Sequence, residues 1–202
     1  MDIIEIKKQV AEQGFCHLKN ANQELVDQVI EQLGKTMYIT DIIEKDNGKI
    51  INSPGEMFMH TDHPLSHYLV WHCIKQADQG GETMLMPIVP VFESLSEEHQ
   101  NSLKEIQLKL NLEFEDETHP FYDEGNFFYS PSLLLKNYTM EQQLAVAAFK
   151  TAMYMVPMKT LRMETNDLFV LDNTKYMHGR KSFSPNSKRH LKRYLIRDLQ
   201  LA

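Results

Sequence analysis

The chain has 202 residues, 42% of them hydrophobic, and a formal net charge of −7. That length suits a single domain over residues 1–202 with a real apolar core, and the acidic balance argues against a nucleic-acid-binding surface. Two cysteines, Cys16 and Cys73, make no disulfide framework. No apolar run approaches a membrane span, and the opening Met-Asp-Ile-Ile-Glu-Ile-Lys-Lys is not a signal peptide, so a cytoplasmic enzyme or binding protein is expected.

Residues 2–13 carry helical spacing through Ile4 and Val10 and end near Gly14. Phe15 to Leu18 reads as a short strand. Asn22 caps a second helix whose apolar face is Leu25, Val26, Val29, Ile30 and Leu33, stopped by Gly34. Ile42 to Met57 is polar and turn-rich and reads as a flexible connection. Strands are expected at Phe58 to Asp62, Tyr68 to Lys75 and Thr83 to Pro87, followed by a loop from Pro87 to Leu95. Ser96 starts a helix to about Ser102, and Leu108 to Phe114 reads as a strand. Thr139 caps a helix to about Met155 with Glu141 in its first turn. Thr160 to Met163, Asp167 to Leu171 and Leu191 to Ile196 complete the strands. Many short strands and a few helices suggest a mainly β fold with flanking helices, a double-stranded β-helix of the jelly-roll or cupin type. The helices at 22–34 and 139–155 are expected to buttress the larger sheet.

Within this frame, His60-Thr61-Asp62 and the later His178 supply two imidazoles and a carboxylate. Presented facially, that set holds non-haem Fe(II) and leaves coordination positions open for a chelating cosubstrate and oxygen. On a strand, residues i and i+2 point to the same side, so His60 and Asp62 can reach one metal. H-x-D alone recurs by chance in a chain with nine histidines; a surface and a core histidine would be the plain alternative. Read at period two, Arg189, Leu191, Arg193, Leu195 and Arg197 share one face. An inward guanidinium needs an anionic partner. Arg189 and Arg193 sit roughly 13 Å apart along such a strand, suited to two different anionic groups. Cys73, beside His72, reads as a buried thiol, since adjacent strand residues face opposite ways.

Met59-His-Thr-Asp62-His-Pro64, Trp71-His-Cys73, Gly80-Gly-Glu-Thr83, Asp172-Asn173, His178-Gly-Arg180 and Arg189-His-Leu-Lys-Arg193 occur in this order between Met57 and Arg197. Together they resemble the taurine dioxygenase and γ-butyrobetaine hydroxylase-like branch of the Fe(II)/2-oxoglutarate-dependent oxygenases. The resemblance implies that His60, Asp62 and His178 are the catalytic iron ligands. It implies that Arg189, with the Thr83 hydroxyl, binds the distal carboxylate of 2-oxoglutarate. Arg193 matches a position that meets a substrate anion in some relatives; a structural ion pair is the other reading of it. Arg180 is a second candidate for an anionic substrate group. Related halogenases carry a small residue where this chain has Asp62, so hydroxylation, with desaturation, epoxidation and ring closure as variants, is expected rather than halogenation.

The resemblance implies iron, 2-oxoglutarate and O2 as requirements, and a small amino-acid-like or carboxylate-bearing substrate. The aromatics Phe121, Tyr122, Phe127, Phe128 and Tyr129 are candidates for an apolar pocket wall, with strand packing as the alternative. The chain is short for this family, which suits an open mouth and a substrate that is either free or tethered to a carrier protein. A non-oxidative metal-dependent cupin and a non-catalytic binding protein on the same fold are the competing readings. Oligomeric state is not legible in the sequence.

Overall fold

The computed structural model describes residues 2–110 and 117–199. Helix α1 (Ile3–Gln13) starts at Asp2, whose side chain accepts the Glu5 amide, and ends at Gly14 with φ of +80°. A Cβ there would lie 2.3 Å from the Tyr176 ring, so both conformation and space demand glycine. Strand β1 (Phe15–Leu18) and helix α2 (Gln23–Leu33), capped by Asn22, follow as expected. Next come β2 (Lys35–Ile43), a 3-10 turn at Ile50–Asn52, β3 (Met57–His60), β4 (Tyr68–Lys75), β5 (Thr83–Pro87), α3 (Ile88–Glu93) and α4 (Glu97–Lys104). Four short strands follow: β6 (Gln107–Lys109), β7 (Thr118–Pro120), β8 (Tyr122–Asp123) and β9 (Asn126–Phe127). The chain continues with α5 (Met140–Ala152), β10 (Lys159–Leu161), β11 (Leu168–Asp172), β12 (Tyr176–Arg180) and β13 (His190–Arg197).

Two antiparallel sheets carry the architecture. One has five strands in the order β1-β11-β4-β13-β2, the other four in the order β10-β5-β12-β3. Leu69, Trp71 and Cys73 of β4, Phe169 and Leu171 of β11, and Leu191 and Leu195 of β13 meet Leu85 of β5 in the core between them. The alternate residues Val70, Leu168, Val170, Tyr194 and Ile196 face the other way, onto α1 and α2. Strands β4 and β11 are buried on both faces, which explains their nearly unbroken apolar runs. The smaller sheet turns Met59, Met84, Met86 and Met177 outward, where they pack with Phe149 of α5 and with Val91 and Phe92 of α3. Flexible methionines suit this irregular junction of helix, loop and sheet. Among the described residues no helix is long and apolar enough to cross a membrane.

Several expectations are corrected. Helix α5 covers the smaller sheet, not the larger, through Ala145, Val146 and Phe149; its apolar stripe identifies a buried face but not the layer it meets. Phe121, Phe127, Phe128 and Tyr129 are buried in that same cluster, with Tyr122 packed against it. They are core, not a pocket wall. Residues 88–93 form α3 rather than a loop. Pro90 is tolerated because the first turn of a helix leaves its N–H groups unused. Lys35–Ile43 is a strand at the edge of the larger sheet, paired along its length with β13. Most of it is exposed or half-buried, so no alternation marked it. The stretch after Ile43 is tied down by Asn52, whose side chain donates to the Ile43 carbonyl at 2.7 Å. The strand expected over Leu108 to Phe114 is found only as β6; residues 111–114 lie outside the described residues.

Phe121 is 1% exposed and meets Phe149 edge-on at 5.2 Å between ring centroids. Phe121→Ala is expected to lower the unfolding free energy by about 3–5 kcal/mol, read as a drop in the midpoint of chemical denaturation.

Candidate metal centre

His60 is the last residue of β3, and His178 lies in the middle of β12. The two are direct partners across the ladder, which brings their ring centroids to 4.4 Å. Asp62 lies just past the end of β3, so the strand pleat alone does not aim it. Thr61 is pulled into the core instead: its amide donates to the Tyr129 carbonyl at 2.6 Å, and its hydroxyl oxygen accepts the Tyr129 amide at 2.9 Å. The Asp62 amide then donates to the Asn173 side chain at 2.8 Å. With the backbone so held, one donor atom from each of His60, Asp62 and His178 lies within 4.8 Å of the others.

The protonation states suit a cation. His60 Nδ1 is 2.7 Å from the Phe58 carbonyl. A carbonyl only accepts, so Nδ1 carries the proton and Nε2 keeps its lone pair for the site. His178 is 3% exposed. Burial, reinforced by the neighbouring His60, pushes its pKa down to about 3, so the ring is neutral at physiological pH. Burial alone would raise the Asp62 carboxyl, but the attraction of Arg193, His178 and His60 outweighs it and holds it below the usual carboxylate range. Two imidazoles and a carboxylate, with no thiolate among them, are the donor set that suits octahedral Fe(II) with positions to spare. The residues fit that metal.

Of the three, His178 lines a cleft that it shares with Trp71, Thr83, Arg189, Leu191 and Arg193, among others. Arg189, just before β13, is 4% exposed. Its Nε donates to Gln76 Oε1 at 3.2 Å, and its guanidinium lies over the Phe183 ring at 5.4 Å. Among the described residues no carboxylate pairs with it. Burial first, then repulsion from Arg180, lowers its pKa to about 10, which still leaves it charged. Thr83 opens β5 and sits opposite Arg180 of β12 in the ladder.

The other two arginines are engaged. Arg193 Nη1 lies 2.8 Å from each oxygen of Asp62, so the structural ion pair is the arrangement found. Arg180 donates to the carbonyls of Ile51, Ser53 and Gly55 at 3.0, 2.6 and 2.6 Å. It clamps the turn after β2 instead of presenting its fork to a substrate. Leu191, Arg193 and Leu195 share the inner face as expected, but Arg197 pairs with Lys35 beyond a bulge between Leu195 and Ile196. Cys73 is a buried thiol whose pKa burial raises to about 11. Its neighbour His72 faces away from the Cys73 side. The roles of Thr61, Tyr129 and Gln76 had no local signal in the sequence, because each acts through a contact distant along the chain. Asn173 did lie within a noted motif.

The model of the family described as taurine catabolism dioxygenase TauD, TfdA family, matches residues 3–195. Among solved structures, asparagine oxygenase in complex with Fe(II), 2S,3S-3-hydroxyasparagine and succinate aligns with a TM-score of 0.78 at 12% identity, covering 98% of this chain and 78% of that one. PvcB of Pseudomonas aeruginosa aligns with a TM-score of 0.69 at 17% identity over 97% and 80% of the two chains. The non-haem iron oxygenase OrfP, solved with Fe, succinate and (3S)-hydroxy-L-Arg, gives 0.73 at 16% identity over 98% and 80%. No match was found among curated proteins. With the family model spanning nearly the whole chain, metal-binding cluster included, the chain belongs to the TauD/TfdA dioxygenase family.

Proposed function

We propose that this chain is an Fe(II)- and 2-oxoglutarate-dependent dioxygenase that hydroxylates an unactivated C–H of a small amino-acid-like or carboxylate-bearing metabolite. In the balanced reaction, substrate C–H, 2-oxoglutarate and O2 give the alcohol, succinate and CO2. His60, Asp62 and His178 hold the iron, and Arg189 with Thr83 holds the distal carboxylate of 2-oxoglutarate. The observation that carries this reading is the buried, charged Arg189, without a carboxylate partner among the described residues, in the cleft that also contains His178. A cationic side chain kept out of water awaits an anion. A non-oxidative cupin has no use for it.

Bound iron supplies the activation of oxygen, coupled to decarboxylation of the cosubstrate. The chain positions the reactants. The Phe58 carbonyl fixes the His60 ring, and burial keeps His178 neutral. The pairing of Arg193 with Asp62 holds the carboxylate ionised and turned toward the imidazoles. Trp71 and Leu191 add apolar lining to the cleft that His178 and Arg189 share. These features support one domain of the double-stranded β-helix type, in a reducing, cytoplasmic setting that keeps iron ferrous. The amino-acid products held by asparagine oxygenase and OrfP support the substrate class, and both free and carrier-tethered forms fit it. Equal turnover of the free acid would remove the carrier.

The test is succinate formation from 2-oxoglutarate with Fe(II) and oxygen, across pools of amino acids, betaines, sulfonates and carrier-bound acyl groups. Stimulation by one pool is expected; folded, Fe(II)-binding protein that makes succinate with none of them and binds no 2-oxoglutarate anaerobically would overturn the reading. Asp62→Ala should weaken Fe(II) binding and abolish turnover in the absence of added chloride. Arg189→Met should raise the KM for 2-oxoglutarate by about two orders of magnitude, the scale for removing one partner of a buried charged pair.

The pH response of the metal-free protein has a definite sign. His178 takes a proton near 6.5 when unfolded but only near 3 when folded. Its contribution to stability is therefore complete above about pH 6.5 and is lost as pH falls toward 3. The melting midpoint should drop across that window, and His178→Gln should make the slope shallower.

A further inference from the structure

Gln76 lies just beyond β4 and is 7% exposed. Its Nε2 donates to the Met163 carbonyl at 2.8 Å, and its Oε1 accepts the Ala77 amide at 2.9 Å. These two contacts fix which end of the amide is oxygen, because a carbonyl cannot face a carbonyl. Oxygen is thereby aimed at Arg189 Nε, 3.2 Å away. The terminal nitrogens of Arg189 make no hydrogen bond to the described residues, and Arg189 lines the cleft.

A buried guanidinium is ordinarily matched by a carboxylate. Half-buried Arg162 has Glu82 at 3.6 Å and Glu164 at 3.3 Å, Arg193 has Asp62, and buried Arg180 has both terminal nitrogens on backbone carbonyls. Arg189 instead has a neutral amide on its inner edge and a glycine behind it. At Gly81, φ is +75°, and a Cβ would stand 3.1 Å from Arg189 Nε and 3.2 Å from Gln76 Oε1. The turn thus leaves room for the Arg189–Gln76 contact and for nothing larger.

We propose that Gln76 is a positioning residue for cosubstrate recognition: it orients Arg189 through Nε while leaving its charge uncompensated, so that the fork remains available to a distal carboxylate. The inference rests on the 2-oxoglutarate reading above and adds to it a residue outside the family motifs. A carboxylate at 76 would satisfy Arg189 internally, and an apolar residue would leave the fork free to rotate. Gln76 is not among the residues that line the cleft, so its loss is expected to act through Arg189 on one end of the cosubstrate only.

The experiment is an anaerobic calorimetric titration of the Fe(II)-loaded protein with 2-oxoglutarate, and with pyruvate, which chelates the metal but lacks the distal carboxylate. Wild type, Gln76→Met and Gly81→Ala are compared, with Fe(II) affinity measured for each. Both variants are expected to weaken 2-oxoglutarate about tenfold, the worth of one hydrogen bond to a charged group, and to leave the pyruvate and Fe(II) affinities within twofold. Wild-type affinity for 2-oxoglutarate in either folded variant would overturn the proposal. So would an equal loss for pyruvate or Fe(II), the mark of general damage to the site. Failure of wild type to bind 2-oxoglutarate would instead sink the functional reading itself, and the proposal with it.

Discussion

The Arg193–Asp62 ion pair ties the two sheets together at the metal centre. Arg193 belongs to β13 of the larger sheet, and Asp62 follows β3 of the smaller one. Both are largely removed from solvent, so each would be costly without the other. The pair does more than hold the layers in register. It keeps Asp62 ionised against a burial penalty that would otherwise favour the neutral acid, and an ionised carboxylate is what a metal needs. Cross-sheet attachment and ligand competence therefore come from one contact. The His60–His178 ladder pairing sets the position of the imidazoles relative to it.

The centre was legible where chemistry sits in short local patterns. His60, Asp62 and His178 stand out because their residue types and order are unusual together, and the structure brings them within reach of one another. The strands buried on both faces were legible from apolar runs, as at Tyr68–Lys75, and the capped helices from Asn22 and Thr139. Illegible features depend on a partner far along the chain. Strand β2 has residues as exposed as Tyr38 and Ile39, at 56% and 57%, and exists because β13 supplies its hydrogen bonds. The aromatic run from Phe121 to Tyr129 has the composition of a pocket wall. It is core because α5 and the methionines of the smaller sheet cover it. Arg180 and Arg193 look alike in sequence, yet one spends its fork on backbone carbonyls and the other on a carboxylate.

The contrast among these arginines organises the cleft. Arg193 is neutralised by Asp62, and Arg180 is bound to neutral carbonyls that fill its fork without cancelling its charge. Arg189 has one amide contact on its inner edge and no carboxylate partner among the described residues. One cleft therefore carries the charge of Arg189 and, at His178, an edge of the candidate metal cluster. An elongated molecule with one end able to chelate a metal and a carboxylate at the other meets both demands at once. A shorter acid would satisfy one and leave the other exposed to its desolvation cost. On the proposed reading, selection for the length and double charge of the cosubstrate would follow from where this fold leaves the Arg189 charge, with Gln76 in place of an acid beside it.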